Sequence, residues 1–154
     1  MPFRFKGLSP APFEPLFGLG DGELAARCMT RMVADEKPGF PCRVSLEDAE
    51  PGERVLLLAY EHQPAHSPYR ASGPIFVREN SAAAYDGDAL PPVFAGRTLS
   101  VRAYDASGLM VEADLTEGGD AEALFRRMLA REDVAYLHVH NAKRGCYAAR
   151  VERG

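Results

Sequence analysis

Cysteine is scarce in this sequence, and no two cysteines stand in a Cys-x-x-Cys spacing. The three that occur, Cys28, Cys42 and Cys146, are odd in number and far apart. This pattern excludes a disulfide framework and differs from that of a structural zinc knuckle. It predicts reduced thiols and therefore a cytoplasmic protein.

Long hydrophobic runs are also missing. The longest one, residues 55–60, is far too short to span a bilayer. The first six residues lack the apolar core of a signal peptide. We therefore expect neither membrane insertion nor export.

An excess of positive charge is absent as well. The formal net charge is -4 and the 18 Lys and Arg residues are dispersed, so we expect no nucleic-acid partner. With 154 residues, 46% of them hydrophobic, the chain has the size of one domain that buries its own core. We expect residues 1–154 to form that single domain.

Turn residues and apolar periodicity predict the order of the elements. Residues 1–20 are rich in proline and predict an extended arm that Phe13, Leu16 and Phe17 pin to the core. Apolar residues at three-to-four-residue spacing predict helices over 21–36, with Cys28 on the buried face, and over 120–131. A surface loop is predicted for residues 80–96. Strands are predicted over 42–46, 55–60, 74–78, 99–103, 109–115, 134–141 and 146–153.

These elements define a fold class. Strands outnumber helices, and most of the connections have the length of hairpin turns. We predict an α+β domain with a mainly antiparallel, twisted sheet of about 6–7 strands and two main helices packed on it.

The densest chemistry falls on the last predicted hairpin. Side chains alternate along a strand, so His138 and His140 share one face, roughly 6 to 7 Å apart. A tight turn through Gly145 then returns Cys146 beside His140 or Asn141. A thiol within reach of an imidazole is how a nucleophilic thiolate is activated, so His138, His140 and Cys146 are candidate catalytic residues.

Three interpretations of this hairpin stay open. Surface histidines and a packed cysteine require no function. The histidines could instead form a site without metal, or they could hold a divalent metal together with His62. His62 and Glu61 follow the most hydrophobic strand, and a set of His62, His138 and His140 would leave one coordination position for water. The outcome depends on whether His62 arrives on the same side of the sheet.

Other polar residues are candidates for ligand binding or for ion pairs. Arg70 and Ser72 lie in a loop that could hold a small anionic ligand, with Glu61, His62 and Asn141 as further binding residues. Arginines on half-buried strands need acidic partners such as Glu112 or Asp114. Three arginines fall in this class: Arg43, Arg78 and Arg102.

Several long blocks of this sequence resemble a known family. They are DEKPGFPCRVSL at residues 35–46, YEH at 60–62, SPYRASGPIFVRE at 67–79, RAYD at 102–105 and HVHNAKRGC at 138–146. Together they resemble the bacterial family catalogued as domain of unknown function 1203 (DUF1203). The resemblance extends over nearly the whole chain. It implies a stand-alone bacterial domain, and it supplies no activity, ligand or catalytic residue.

Two hypotheses of different classes follow. The first is a small-molecule enzyme or binding protein with a polar pocket lined by His, Cys and Arg. The second is a non-catalytic interaction module or homodimer, in which the aromatic arm with Phe3, Phe5, Phe13 and Phe17 covers a partner.

Overall fold

A computed structural model describes residues 2–80 and 83–154 of the chain. The strands are β1 (Phe3–Lys6), β2 (Thr30–Val33), β3 (Arg54–Gln63), β4 (Ala71–Arg78), β5 (Asp86–Gly87), β6 (Thr98–Tyr104), β7 (Met110–Glu117), β8 (Tyr136–Asn141) and β9 (Tyr147–Arg153). The helices are α1 (Glu14–Phe17), α2 (Asp21–Ala26) and α3 (Ala121–Leu129), with 3-10 turns at Pro92–Phe94 and Gly118–Asp120. No helix in these residues is both long and apolar enough to cross a membrane.

The strands divide into two antiparallel sheets. One has six strands in the order β5-β1-β9-β8-β6-β7, and the other has three in the order β2-β3-β4. The α+β class and the antiparallel pairing are therefore confirmed. The predicted central strand is the middle strand of the smaller sheet rather than part of one large sheet. Of the two predicted helices only α3 has its expected length.

The main core lies between α3 and one face of the six-stranded sheet. Apolar side chains of α3 meet Leu137 and Val139 of β8, which are fully buried. Because side chains alternate along a strand, the same backbone turns His138 and His140 to the opposite face. The α3 core thus fixes which face of β8 carries the histidines.

The N-terminal arm is extended in β1 but forms a short helix at α1, and Phe13 and Leu16 are buried as predicted. Phe3 and Phe5 of β1 are buried and meet Phe94 and Phe125 edge to face. Pro15 falls in the first turn of α1, where its missing N–H has no helical partner to lose. These aromatic residues of the arm therefore cover the chain's own core, and the interaction hypothesis stays a prediction.

The helix predicted over 21–36 is wrong beyond Ala26. The chain turns at Cys28, which has a positive φ of 58° and is exposed, so it is not a core thiol. Residues 30–33 then form β2, in which Met32 pairs with Val55 of β3. Pairing with β3 outweighs local helix propensity here, because it satisfies backbone hydrogen bonds of residues 54–57 on that edge of the sheet.

Two smaller expectations also need correction. Residues 42–46 form turns and isolated bridges instead of a strand, since the chain folds back so that Leu46 N–H donates to the Cys42 carbonyl. The hairpin of β6 and β7 is confirmed, but two residues of the predicted apolar face are exposed: Leu115 on the edge strand β7 and Leu109 in the turn before it. In the predicted loop over 80–96, residues 81 and 82 lie outside the described residues, and Asp86–Gly87 pairs with β1.

Candidate functional site

Three histidines from the two sheets meet in one cluster. The ring of His62, near the end of β3, lies 5.0 Å from that of His140 and 6.3 Å from that of His138. One ring nitrogen of each histidine lies within 4.8 Å of the corresponding nitrogen of the other two. We call these three residues the histidine cluster. His62 thus arrives on the same side of β8 as the other two histidines.

A local irregularity in β3 accompanies the position of His62. The pairing of β3 with β4 shifts between Tyr60 and Gln63, and bulges of this kind re-aim side chains near sites. The Gln63 amide donates to the Tyr136 hydroxyl of β8 over 2.9 Å. This bond joins the two sheets next to the cluster.

The cluster holds most of the unsatisfied buried polar atoms of the structure. In residues 2–80 and 83–154, four buried side-chain nitrogens or oxygens lack a hydrogen-bond partner. Three of them are Nδ1 of His62, Nδ1 of His138 and Nε2 of His140. Leaving such atoms unpaired costs free energy, so their concentration at one point requires an explanation.

One hydrogen bond sets the tautomer of His140. Its Nδ1–H donates to the Gly145 carbonyl over 2.9 Å, so the lone pair lies on Nε2. Gly145 closes the β8–β9 turn with a positive φ of 78°, as the sequence predicted. The turn therefore leaves Nε2 of His140 available as an electron-pair donor inside the cluster.

Burial keeps the cluster neutral. His138 is 2% exposed and His140 is 1% exposed. Desolvation, with smaller contributions from neighbouring charges, lowers the pKa of His138 to about 3 and that of His140 to about 4. The pKa of His62 is also lowered, first by burial and then by the charge of Arg102. All three imidazoles are uncharged near neutral pH.

Tyrosines surround the histidines. The ring of Tyr147 stacks on that of His62 with centroids 5.4 Å apart and an interplanar angle of 6°. Tyr104 and Tyr136 stack on each other at 5.4 Å, and the ring of Tyr104 lies 5.1 Å from that of His138. Burial raises the pKa of Tyr104 and of Tyr147, so both hydroxyls stay protonated. These rings limit water and lower the local dielectric.

Arg102 is a functional candidate that sequence reasoning missed. It lies opposite His138 in the pairing of β6 with β8, and its charge lowers the pKa of all three histidines. The expected acidic partner, Glu112, pairs across from Ala103 and binds Arg127 and Arg131 instead. In the described residues Arg102 has no carboxylate partner; it donates to Ser100 over 3.3 Å and has the Tyr104 hydroxyl as a further hydrogen-bonding neighbour. The alternation of β6 could have placed it beside the histidines.

Three predicted ligand-binding residues lie away from the cluster. Glu61 and Arg70 form an exposed ion pair of 3.0 Å, and Ser72 is exposed on β4. Glu61 is exposed to solvent, whereas the neighbouring His62 is half-buried in the cluster.

Cys146 and Asn141 are neighbours, as predicted from the tight turn through Gly145. The Asn141 amide lies 3.5 Å from Cys146 Sγ. Both line a separate cavity of about 420 Å³, and Cys146 is not a member of the histidine cluster. The catalytic role of Cys146 and the ligand-binding role of Asn141 stay predictions.

Of the other two strand arginines, only Arg78 has a carboxylate partner. It binds Glu53 over 2.6 Å and so follows the expectation of an ion pair, although with a different acid. Arg43 is 2% exposed and donates to the carbonyls of Pro41 and Tyr147. In the described residues it forms no ion pair, contrary to expectation, because its side chain reaches the backbone of Tyr147 on β9 instead of an acidic side chain.

Comparison with known proteins gives one match. No curated protein and no solved structure is detectably similar to the chain. The model of the family described as "Protein of unknown function (DUF1203)" matches residues 39–153, which include the histidine cluster, Arg43, Arg102 and Cys146. The chain belongs to the DUF1203 family.

Proposed function

We propose that this chain is a metal-dependent enzyme that acts on a small anionic molecule, with His62, His138 and His140 as ligands of one divalent transition-metal ion. The observation that carries the proposal is the set of three buried ring nitrogens that lack hydrogen bonds and belong to adjacent neutral imidazoles. Neutral imidazole is the protein ligand that suits Zn, Fe, Cu and Ni. A shared cation would use all three electron pairs.

The bond from His140 to Gly145 supports this assignment. Histidines that bind metals usually donate their other ring N–H to a backbone carbonyl or a carboxylate, which fixes the ring and its tautomer. His140 has this arrangement, with Nδ1 on the Gly145 carbonyl and Nε2 in the cluster. Gly145 would then have two roles: its backbone closes the β8–β9 turn, and its carbonyl orients the metal ligand His140.

The number of ligands favours catalysis over a structural role. Structural zinc sites are closed by four side chains, whereas catalytic sites use three and leave a position for water or substrate. In the described residues no Cys, Asp or Glu joins the three histidines. A divalent ion held by neutral ligands supplies a Lewis acid that activates water or polarises a substrate oxygen.

Arg102 favours an anionic substrate. A cation next to a metal weakens metal binding unless an anion lies between them. Arg102 has no carboxylate of its own in the described part of the chain, and its guanidinium matches the geometry of carboxylate or phosphate. Acid–base catalysis by the histidines alone fits less well, because groups with pKa values of about 3 and 4 are poor proton donors at neutral pH.

Metal uptake tests the proposal. Chelator-treated protein is titrated with Zn²⁺, Fe²⁺ and Ni²⁺ in separate calorimetric experiments, with elemental analysis of the products. We expect one equivalent of metal per chain and at least about a hundredfold weaker binding in His62→Gln. His66→Gln is the matched control, since His66 is the fourth histidine of the chain and is exposed in a loop.

Two results would contradict the proposal. One is wild-type protein that takes up none of the three metals in stoichiometric amounts. The other is equal weakening in His62→Gln and His66→Gln, which would place the metal elsewhere. His62 is half-buried rather than buried, so His62→Gln is the ligand variant that disturbs folding least.

A further inference from the structure

A second polar site lies beside the β8–β9 turn. It is the cavity of about 420 Å³ that contains Cys146. The charged residues of its lining are one acid and four cations, namely Glu36, Arg43, Arg97, Lys143 and Arg144. We call it the basic cavity.

The cations of the basic cavity differ in their partners. Arg97 is neutralised by Asp48, which accepts two hydrogen bonds from it, of 2.8 and 3.1 Å. Lys143 and Arg144 are exposed on the turn and form no ion pair in the described residues. Their charges are available to a ligand.

Arg43 is the decisive residue. Its guanidinium is buried and has no carboxylate partner in residues 2–80 and 83–154; its neighbours are the carbonyls of Pro41 and Tyr147 and the side chain of Cys146. Buried arginines are almost always paired, because an isolated buried charge loses its hydration without compensation. Arg43 therefore lacks a carboxylate as counter-charge. The cavity that it lines is large enough to hold a small anion.

We propose that the basic cavity binds a small dianion with oxyanion groups, of the phosphate monoester or dicarboxylate class. Arg43, Lys143 and Arg144 face only one carboxylate in the lining, that of Glu36, so a ligand with two negative charges balances the cavity. A guanidinium binds such oxygens with charge-assisted hydrogen bonds. This site is separate from the histidine cluster and does not depend on the proposed metal.

Calorimetry on the full chain, as purified and after chelator treatment, tests the proposal. Inorganic phosphate and succinate serve as separate probes, so that the two sources of an oxyanion are distinguished. We expect at least one of them to bind, and we expect Lys143→Ala/Arg144→Ala to bind it about tenfold more weakly. Arg27→Ala/Arg54→Ala is the charge-matched control, since both of its arginines are exposed and outside the cavity.

Alkylation gives a readout that needs no substitution. Cys146 lines the basic cavity, whereas Cys28 is exposed elsewhere and serves as an internal control. Iodoacetamide modification is followed separately for each cysteine by mass spectrometry. By mass action, a probe at ten times its Kd should slow modification of Cys146 about tenfold and leave Cys28 unchanged.

The outcomes separate this proposal from the proposed function. Failure of both probes to bind, or equal weakening in the two double variants, would overturn it. Binding that disappears in Arg102→Gln but leaves Cys146 unprotected would place the anion at the histidine cluster and would also overturn it. None of these three outcomes bears on metal uptake by His62, His138 and His140.

Discussion

The ring of His62 lies 5.0 Å from the ring of His140, although the two residues belong to strands of different sheets. The histidine cluster is therefore a junction between sheets and not a feature of one strand. Its geometry depends on the packing that holds β3 against β8, including the Gln63–Tyr136 hydrogen bond. A substitution at this junction, or in the core behind it, should therefore alter the stability of the fold, the metal affinity of the histidine cluster or both.

Gly145→Ala should lower both stability and metal affinity. Gly145 has a φ of 78°, where a Cβ is disfavoured, although no atom lies within 4 Å of the added carbon. We expect a loss of about 1 kcal/mol in the free energy of unfolding, measured with urea. The shifted carbonyl should also weaken metal binding by roughly tenfold through His140. Gly119→Ala, which has open space and no positive φ, should change neither quantity.

Arg102→Gln should change metal and anion binding in opposite directions. Removing a positive charge beside the histidine cluster should strengthen Zn²⁺ binding by roughly threefold to tenfold or more, since the cation no longer repels the metal ion. The same change should weaken the binding of azide to the metal-loaded protein, because the anion loses its cationic neighbour. Weaker binding of both the metal and azide would contradict the proposed role of Arg102. Arg54→Ala is a control on an exposed arginine.

The metal-free protein should lose stability as the pH falls below about 6.5. Burial lowers the pKa of His138 to about 3, whereas the unfolded chain keeps a value near 6.5, so the unfolded chain binds more protons between these values. The stabilisation is complete above about pH 6.5 and decreases towards about pH 3. His138→Phe should reduce the slope of unfolding free energy against pH by up to about 1.4 kcal/mol per unit.

Urea unfolding in the presence of a chelator, from about pH 7.5 to about pH 4.5, measures this slope. His66→Gln should keep the wild-type slope, because His66 is exposed. An unchanged slope in His138→Phe would show that His138 titrates alike in the folded and unfolded chain, contrary to its burial.

Phe125→Ala should destabilise the fold far more than Leu115→Ala. The Phe125 ring is fully buried against Phe3, Phe5 and Phe94, whereas Leu115 is 63% exposed on the edge strand β7. Loss of the buried ring should cost about 3–5 kcal/mol, and loss of the exposed side chain should cost less than about 0.5 kcal/mol. Denaturant unfolding of the two variants measures the difference. Similar losses would mean that β1 does not pack on α3.

Several features followed from the sequence because they depend on neighbouring residues. The β6–β7 hairpin and α3 were predicted, since alternation and helical spacing are local patterns. The shared face of His138 and His140 and the turn at Gly145 were predicted for the same reason. The sequence suggested His62 as the third histidine of a site. It did not determine whether His62 lies next to His138 and His140.

The expectation about His62 assumed one sheet and asked on which side of it His62 lies. In the structure β3 and β8 lie in separate sheets, and the ring of His62 reaches His138 and His140 from the other sheet. The loss of the helix beyond Ala26 has a related cause, since residues 30–33 pair with β3, which lies far along the chain.

The sequence by itself determined the local elements and the face on which two histidines lie, because the strand period and the turn chemistry act between near neighbours. Only the tertiary structure decided that His62 completes the cluster, that Arg102 stands beside it and that Arg43 is buried without a carboxylate. These relationships join segments distant in sequence. They are set by how the faces of two sheets pack together, and no local periodicity encodes that packing.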